Sequence, residues 1–184
     1  MPTDRATDIR DAARSLFAQR GYEATSMRAI AEAADVSLGL AYNYFSGKED
    51  LLRVIVEEGG PQVETTFSEL YPDGPPEERV RHFVTACLGT VRTHRAFWQL
   101  LYSLRQQPEA VAAVGDTLDG LYDEIHARLR SLFVSLDDEA PDGSARLLFA
   151  TLDGVGQHYV RDPESYPLDN VIEQIIDRFA PAAR

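Results

Sequence analysis

Lysine is almost missing from this chain: of its 18 basic side chains only Lys48 is a lysine, and the rest are arginines. Two origins fit that bias, a GC-rich genome or a salt-adapted cytoplasm, to which acidic and lysine-poor surfaces are suited. Cysteine is as scarce. Cys87 stands alone, which excludes an internal disulfide and a cysteine-built metal cage. Its plain reading is a small buried hydrophobe, with a redox sensor as the sharper alternative. Long apolar runs are missing too. None approaches the roughly 18 residues that cross a bilayer, so no membrane partner is expected. The start, Met1-Pro2-Thr3-Asp4-Arg5, has no apolar core of the signal-peptide kind, and the expected location is the cytoplasm. Positive charge is in deficit: the formal net charge is −12. Strand signals are nearly absent, with no alternating β-branched runs and no hairpin dipeptides between apolar segments.

Helical periodicity fills the space those absences leave. Ile9, Ala12, Ala13, Leu16 and Phe17 form one apolar stripe of a first helix. Gly21 supplies a left-handed residue to end it. Thr25 or Ser26 can cap a short second helix carrying Met27, Ile30, Ala31 and Ala34. Asp35-Val36-Ser37 makes a tight turn, and Ser37 caps a third helix through Tyr42. Ser46-Gly47 breaks the pattern, and a fourth helix opens at Lys48. Gly59-Gly60-Pro61 should interrupt or kink it, with helix resuming through Val63, Phe67 and Leu70. Tyr71 to Pro76 is the clearest linker. Helices are then expected over about 77–92, 94–106, 108–135, 144–160 and 168–179. The predicted class is all-α, with a three-helix amino-terminal head at 1–47 and a six-helix body at 48–184.

The run Thr25 to Lys48 has the requirements of a helix-turn-helix, in which the second helix of the motif lies across the third and holds it in a DNA groove. Ala31 and Ala34 permit close crossing, Val36 fills the small core, and Ser37 caps the reading helix. Leu38, Leu40, Asn43 and Tyr44 then fall on its short outer face. Helix amino ends at Thr25/Ser26 and Lys48 suit phosphates, as do the hydroxyls of Thr25, Tyr42 and Tyr44. Taken singly, Tyr42 and Tyr44 would be half-buried packing residues, and Arg28 a solvated charge. Bulk charge gives no help. Residues 1–50 carry six basic side chains against eight acidic ones, where a DNA binder is expected to show a basic footprint. Joint spacing is what selects the motif.

Gly21-Tyr22, Thr25-Ser26-Met27, Ile30-Ala31, Ala34, Val36-Ser37, Gly39, Tyr42, Tyr44-Phe45 and Lys48-Glu49-Asp50-Leu51-Leu52 together resemble the amino-terminal signature of the tetracycline-repressor (TetR) family. The resemblance covers roughly residues 8–55. It implies a homodimer on a palindromic double-stranded operator, released when a small effector binds the body. It also implies a phosphate contact at Thr25 and a base-edge contact at Arg28. Leu38, Gly39, Leu40, Asn43 and Tyr44 would face the groove, with Tyr42 and Lys48 on backbone phosphates. Two positions depart from the pattern. Asp35 stands where the turn usually has glycine, and aspartate is among the few residues that tolerate the left-handed conformation. Leu38 and Leu40 replace hydrogen-bonding readers, so thymine-methyl contacts and DNA shape should count for more.

No motif marks the body. An effector site there should be an apolar cavity with a few converging polar groups. Phe83, Cys87, Phe97, Trp98, Leu101, Tyr102, Leu118, Tyr122, His126, Phe149 and Asp153 are the candidates, His158 a further polar handle; ordinary core is the plain alternative. The histidines show no ligand-like i, i+4 pairing, so neither a metal nor another cofactor is expected. Leu147, Leu148, Thr151, Leu152 and Val155 give one apolar side, and Ile172, Ile175, Ile176 and Phe179 another. Paired across a two-fold axis they would form a four-helix dimer interface; the alternative is that both stripes pack within one subunit. The expected function is a homodimeric repressor released by a small apolar or aromatic molecule. The rivals are a regulator controlled by a protein partner or acting as an activator, and an α-helical enzyme using His126 or His158 with Asp153. No nucleophile, base and orienting group fall at recognisable spacing, so no catalytic residue is assigned.

Overall fold

In a computed structural model of the chain the described residues are 5–68 and 74–180, with backbone alone at 60–68 and 76. All regular structure among them is helical: α1 (Arg5–Arg20), α2 (Met27–Ala33), α3 (Leu38–Tyr44), α4 (Lys48–Ser68), α5 (Pro76–Thr93), α6 (Arg95–Leu104), α7 (Pro108–Ser135), α8 (Pro141–Arg161) and α9 (Leu168–Phe179). The all-α expectation holds.

Local chemistry sets the head's boundaries. The Gly21 N–H returns to the Phe17 carbonyl at 3.0 Å and its φ of +85° ends α1 in the left-handed region. Ser26, rather than Thr25, caps α2: the Ala29 N–H donates to Ser26 Oγ at 3.2 Å. Ser37 caps α3 by accepting from the Leu40 N–H at 3.1 Å. Asp35 adopts the expected left-handed turn, with φ at +52°. Between the caps, α1 packs on α2 and α3, and α2 on α3. Ala31 and Ala41 are fully buried and Ala34 nearly so, which lets these short helices cross closely.

Two expectations about helix continuity change. α4 runs without a break from Lys48 to Ser68, so Gly59-Gly60-Pro61 does not end it. A proline removes a single N–H from the ladder, and the turns on either side carry the helix across. α3 reaches Tyr44, two residues beyond its expected end, and α8 begins at Pro141 because proline suits a first helical position. Leu70 and residues 71–73 of the expected linker lie outside the described residues.

Two compact units divide the chain. The first comprises residues 1–60 and 99–118, the second 61–98 and 119–184. The boundary expected at 47/48 does not coincide with this division, since the start of α4 and the 99–118 segment group with the head. Unit one buries Ile9, Phe17, Tyr22, Ile30, Leu51, Leu52 and Ile55, and, on the later segment, Leu100, Leu104, Ala110 and Val114. In unit two, α5 packs on α8 and α9, and α8 on α9. Its core gathers Val80, Phe83, Val84, Leu88, Ile125, Leu129, Leu132 and Phe133 with Leu148, Leu152, Ile172, Ile175, Ile176 and Phe179. α7 contributes to both units.

Candidate nucleic-acid interface

α3 is held from one side and bare on the other. Ala41 and Phe45 are buried, which fixes the helix on α1 and α2 and turns the opposite face outward. Gly39, Asn43, Tyr42 and Tyr44 are exposed there, with 51% of Tyr42 and 46% of Tyr44 open to solvent. Large aromatic side chains left that open on a short capped helix point to a surface made for contact. Leu38 and Leu40 are half-buried at the helix start, and Ser37 and Ser26 are exposed, although both serine hydroxyls are engaged as caps. Arg28 is exposed and makes no ion pair with other described residues.

Two expected phosphate ligands are otherwise occupied. Thr25 is only 3% exposed, and its hydroxyl donates to the Gly21 carbonyl at 2.7 Å. Burial turned that hydroxyl into a brace for the α1–α2 turn, so in this conformation no hydroxyl is offered to a phosphate. Lys48 is likewise drawn inward. Its Nζ lies 3.4 Å from the Tyr22 carbonyl, 3.5 Å from the Glu23 carbonyl and 3.5 Å from the Glu109 carboxylate. It also sits 4.4 Å from the centroid of the Tyr22 ring. That ring is fully buried against Phe17, with centroids 5.2 Å apart. Burial, reinforced by the negative fields of Glu49 and Glu109, pushes the Tyr22 phenol up to about 12. Spacing alone gave no sign of Glu109, which lies on a different helix far along the chain.

The expected effector residues are divided between the two units. Leu101, Tyr102 and Leu118 belong to unit one, where Leu101 is buried and the Arg105 guanidinium lies 5.4 Å from the Tyr102 ring centroid. The other eight belong to unit two. Phe83 is in its core, and Cys87, Trp98, Tyr122 and Phe149 pack half-buried against it. The Tyr122 and Phe149 rings meet edge to face at 5.6 Å, and Phe97 meets Trp98 in the same way at 6.0 Å. Burial pushes the Cys87 thiol up to about 12, with a smaller push from the Asp153 carboxylate. A thiol so raised stays protonated and weakly nucleophilic at neutral pH, as a structural cysteine does. His126 has its Nε2 3.4 Å from the Asp142 carboxylate. Asp142 also accepts from Arg146 at 3.0 Å, and that bond holds its carboxyl below the ordinary value. His158 is exposed and stacks on Tyr166.

The expected dimer stripes are largely consumed inside one chain. Leu148, Leu152, Ile172, Ile175, Ile176 and Phe179 are all in the core of unit two, because α8 and α9 turn their most apolar faces toward α5 and each other. Leu147 remains 53% exposed. With Thr151, Val155, Val171, Gln174 and Arg178 it flanks a shallow surface groove between α8 and α9, at the bottom of which Ile175 and Phe179 show. Among the described residues no cluster of three or more metal-ligating side chains forms, and no helix is long and apolar enough to cross a membrane.

A capped three-helix head with a bare reading face defines a helix-turn-helix DNA-binding protein. The comparisons sharpen that class. Residues 9–55 match the family model for bacterial regulatory proteins of the tetR family. Residues 76–182 match that for the carboxy-terminal part of BetI-type transcriptional repressors. The chain belongs to the TetR family of transcriptional regulators. The transcriptional regulator HbdR of Aromatoleum sp. (strain CIB) is 33% identical over 123 residues, covering 62% of this chain and 52% of HbdR. The chain spans about half the length of the first curated relatives it matches. A TetR-like regulator from Rhodococcus sp. RHA1 superposes with a TM-score of 0.77 at 28% identity, over 94% of this chain and 92% of that one. FadR of Bacillus subtilis, solved in complex with stearoyl-CoA, shares the fold with a TM-score of 0.76 at 20% identity, over 97% and 99% of the two chains. The family and these relatives are regulators, not enzymes.

Proposed function

We propose that the chain is a homodimeric repressor that reads a palindromic operator with α3 and lets go when a small apolar or aromatic molecule binds unit two. The observation that carries the DNA reading is the exposed face of α3, with Gly39, Tyr42, Asn43 and Tyr44 outward while Ala41 and Phe45 anchor it. Arg28, Leu38 and Leu40 complete the proposed contact set, Asn43 reading a base edge and Tyr42 a phosphate. For dimerisation the support is the α8–α9 groove. A second copy related by a two-fold axis would cover Leu147, Val155 and Val171 with the same residues from its own surface. For the effector it is the half-buried aromatic set on the core of unit two. The stearoyl-CoA held by FadR fits an apolar ligand for this fold.

Operator selected from a random-duplex pool tests the division of roles. Tyr42→Phe should weaken binding to matched and mismatched duplexes alike, by about fivefold, the scale of one lost hydrogen bond. Asn43→Ala should instead flatten preference at one base pair of each half-site. Equal losses of specificity in both variants would refute the assignment, and failure of the wild-type chain to select any sequence would refute the DNA reading itself. A thermal-shift panel of fatty acids, acyl-CoAs and aromatic acids tests the effector. A true ligand at a hundred times its Kd stabilises by roughly 2.7 kcal/mol and raises the melting temperature, and the same compound should release the operator. A compound class that stabilises without releasing DNA would leave the release mechanism without support.

A further inference from the structure

The turn that leads into α2 is fastened to a segment more than eighty residues away. Gln107, in the loop between α6 and α7, accepts the Glu23 N–H at 3.1 Å through Oε1. Its Nε2 donates to the Ser103 carbonyl at 3.0 Å, so the amide is fixed at both ends. The fit is tight, since a Cβ built on Gly21 would stand 3.1 Å from that same Oε1. Two residues on, Glu109 in the first turn of α7 holds the outer side of the Lys48 ammonium, whose inner side faces the Tyr22 and Glu23 carbonyls and the Tyr22 ring. Three consecutive residues, Gly21, Tyr22 and Glu23, are thus gripped by Gln107 directly and by Glu109 through Lys48. All of these residues lie in unit one.

We propose that Gln107 and Glu109 are positioning residues for operator binding and that Lys48 serves as an internal strut between them and the α1–α2 turn, not as a phosphate ligand. The turn sets where α2 begins, and α2 carries α3, so a loosened turn lets the reading helix wander from its register. An ammonium with two carbonyls, a carboxylate and a ring around it is engaged within the chain, and moving it to a phosphate would dismantle the strut. Gln107 supplies the one fixed acceptor for the Glu23 N–H. The proposal rests on the DNA-binding reading of α3.

The experiment measures affinity for the pool-selected operator against salt concentration, with melting temperatures, for the full chain and four variants. Gln107→Leu and Lys48→Met should each weaken binding about fivefold to tenfold, the scale of a lost or charge-assisted hydrogen bond. Gln107→Glu, which keeps an acceptor for the Glu23 N–H but gives up the Nε2 donor to the Ser103 carbonyl, should lose less affinity than Gln107→Leu. Salt dependence separates a strut from a phosphate ligand. Each phosphate contact contributes about 0.9 to the slope of log affinity against log salt. Lys48→Met should leave the slope unchanged; a fall of about 0.9 overturns the strut. Glu109→Gln should weaken binding; tighter binding would mean that the carboxylate only competes with DNA for Lys48, and overturns the proposal as well. Should Gln107→Leu melt too early to assay, Glu109→Gln and the salt slope of Lys48→Met decide on their own. Wild-type chain that selects no operator would fail the DNA reading, whereas wild-type binding with Gln107→Leu, Lys48→Met and Glu109→Gln all unaffected would fail this proposal alone.

Discussion

Gly39→Asp should abolish operator binding, by at least about a hundredfold, while leaving the melting temperature within a degree or two of wild type. Gly39 lies in the first turn of α3 on its exposed face. A Cβ built there meets no atom within 4 Å, and the residue has no left-handed φ to lose. The substitution therefore costs the fold almost nothing. It places a carboxylate on the surface proposed to approach the phosphate backbone, where like-charge juxtaposition costs several kcal/mol, and each 1.4 kcal/mol is tenfold. Gel shift and thermal melting on the same preparation give the answer. A folded variant that still binds operator would move the DNA-facing surface away from α3.

Phe17→Ala should cost about 3–5 kcal/mol, the range for removing a fully buried phenylalanine. Phe17 has no exposed surface, and its ring rests on Tyr22, the residue at the centre of the α1–α2 turn. Total stabilities run to only about 5–15 kcal/mol, so the loss should melt the head near physiological temperature and remove DNA binding with it. Location should show in the choice of probe. Trp98, the single tryptophan, belongs to unit two, so its fluorescence reports there while circular dichroism reports all helices. The dichroism midpoint should fall further than the fluorescence midpoint. A dichroism shift worth less than about 1 kcal/mol would contradict the burial argument.

The head was legible in the sequence because its determinants are short-range. Gly21 and Asp35 announce left-handed turns, Ser37 and the Thr25-Ser26 pair announce caps, and alanines at 31 and 34 announce close crossings, each within a few residues of its effect. Bare residue type does not fix direction. Thr25 and Lys48 have the side chains that phosphates want, yet burial turned the hydroxyl to the Gly21 carbonyl and drew the ammonium to Tyr22, Glu23 and Glu109. Nothing near residue 21 in the sequence signals Gln107, since a glutamine in a loop carries no periodicity and its partner is 84 positions away. The body shows the complementary limit. An apolar stripe such as Leu148, Leu152, Ile172 and Ile176 says that a face will be covered, but not whether by the same chain or by a second copy. Here the chain covers it, and only the weaker stripe around Leu147 and Val155 is left over.

The solitary lysine also gives the chain a single proteolytic probe of its own contacts. A protease that cuts only after lysine has one peptide bond to attack, between residues 48 and 49, in the first turn of α4. Helical backbone must open locally before a protease can bind it, and here the side chain that the protease recognises is also the one held by Tyr22, Glu23 and Glu109. The rate of that single cut, followed as two fragments on a gel, therefore times the release of the ammonium. DNA, effector and the Gln107 and Glu109 variants can each be ranked by how far they slow or hasten it.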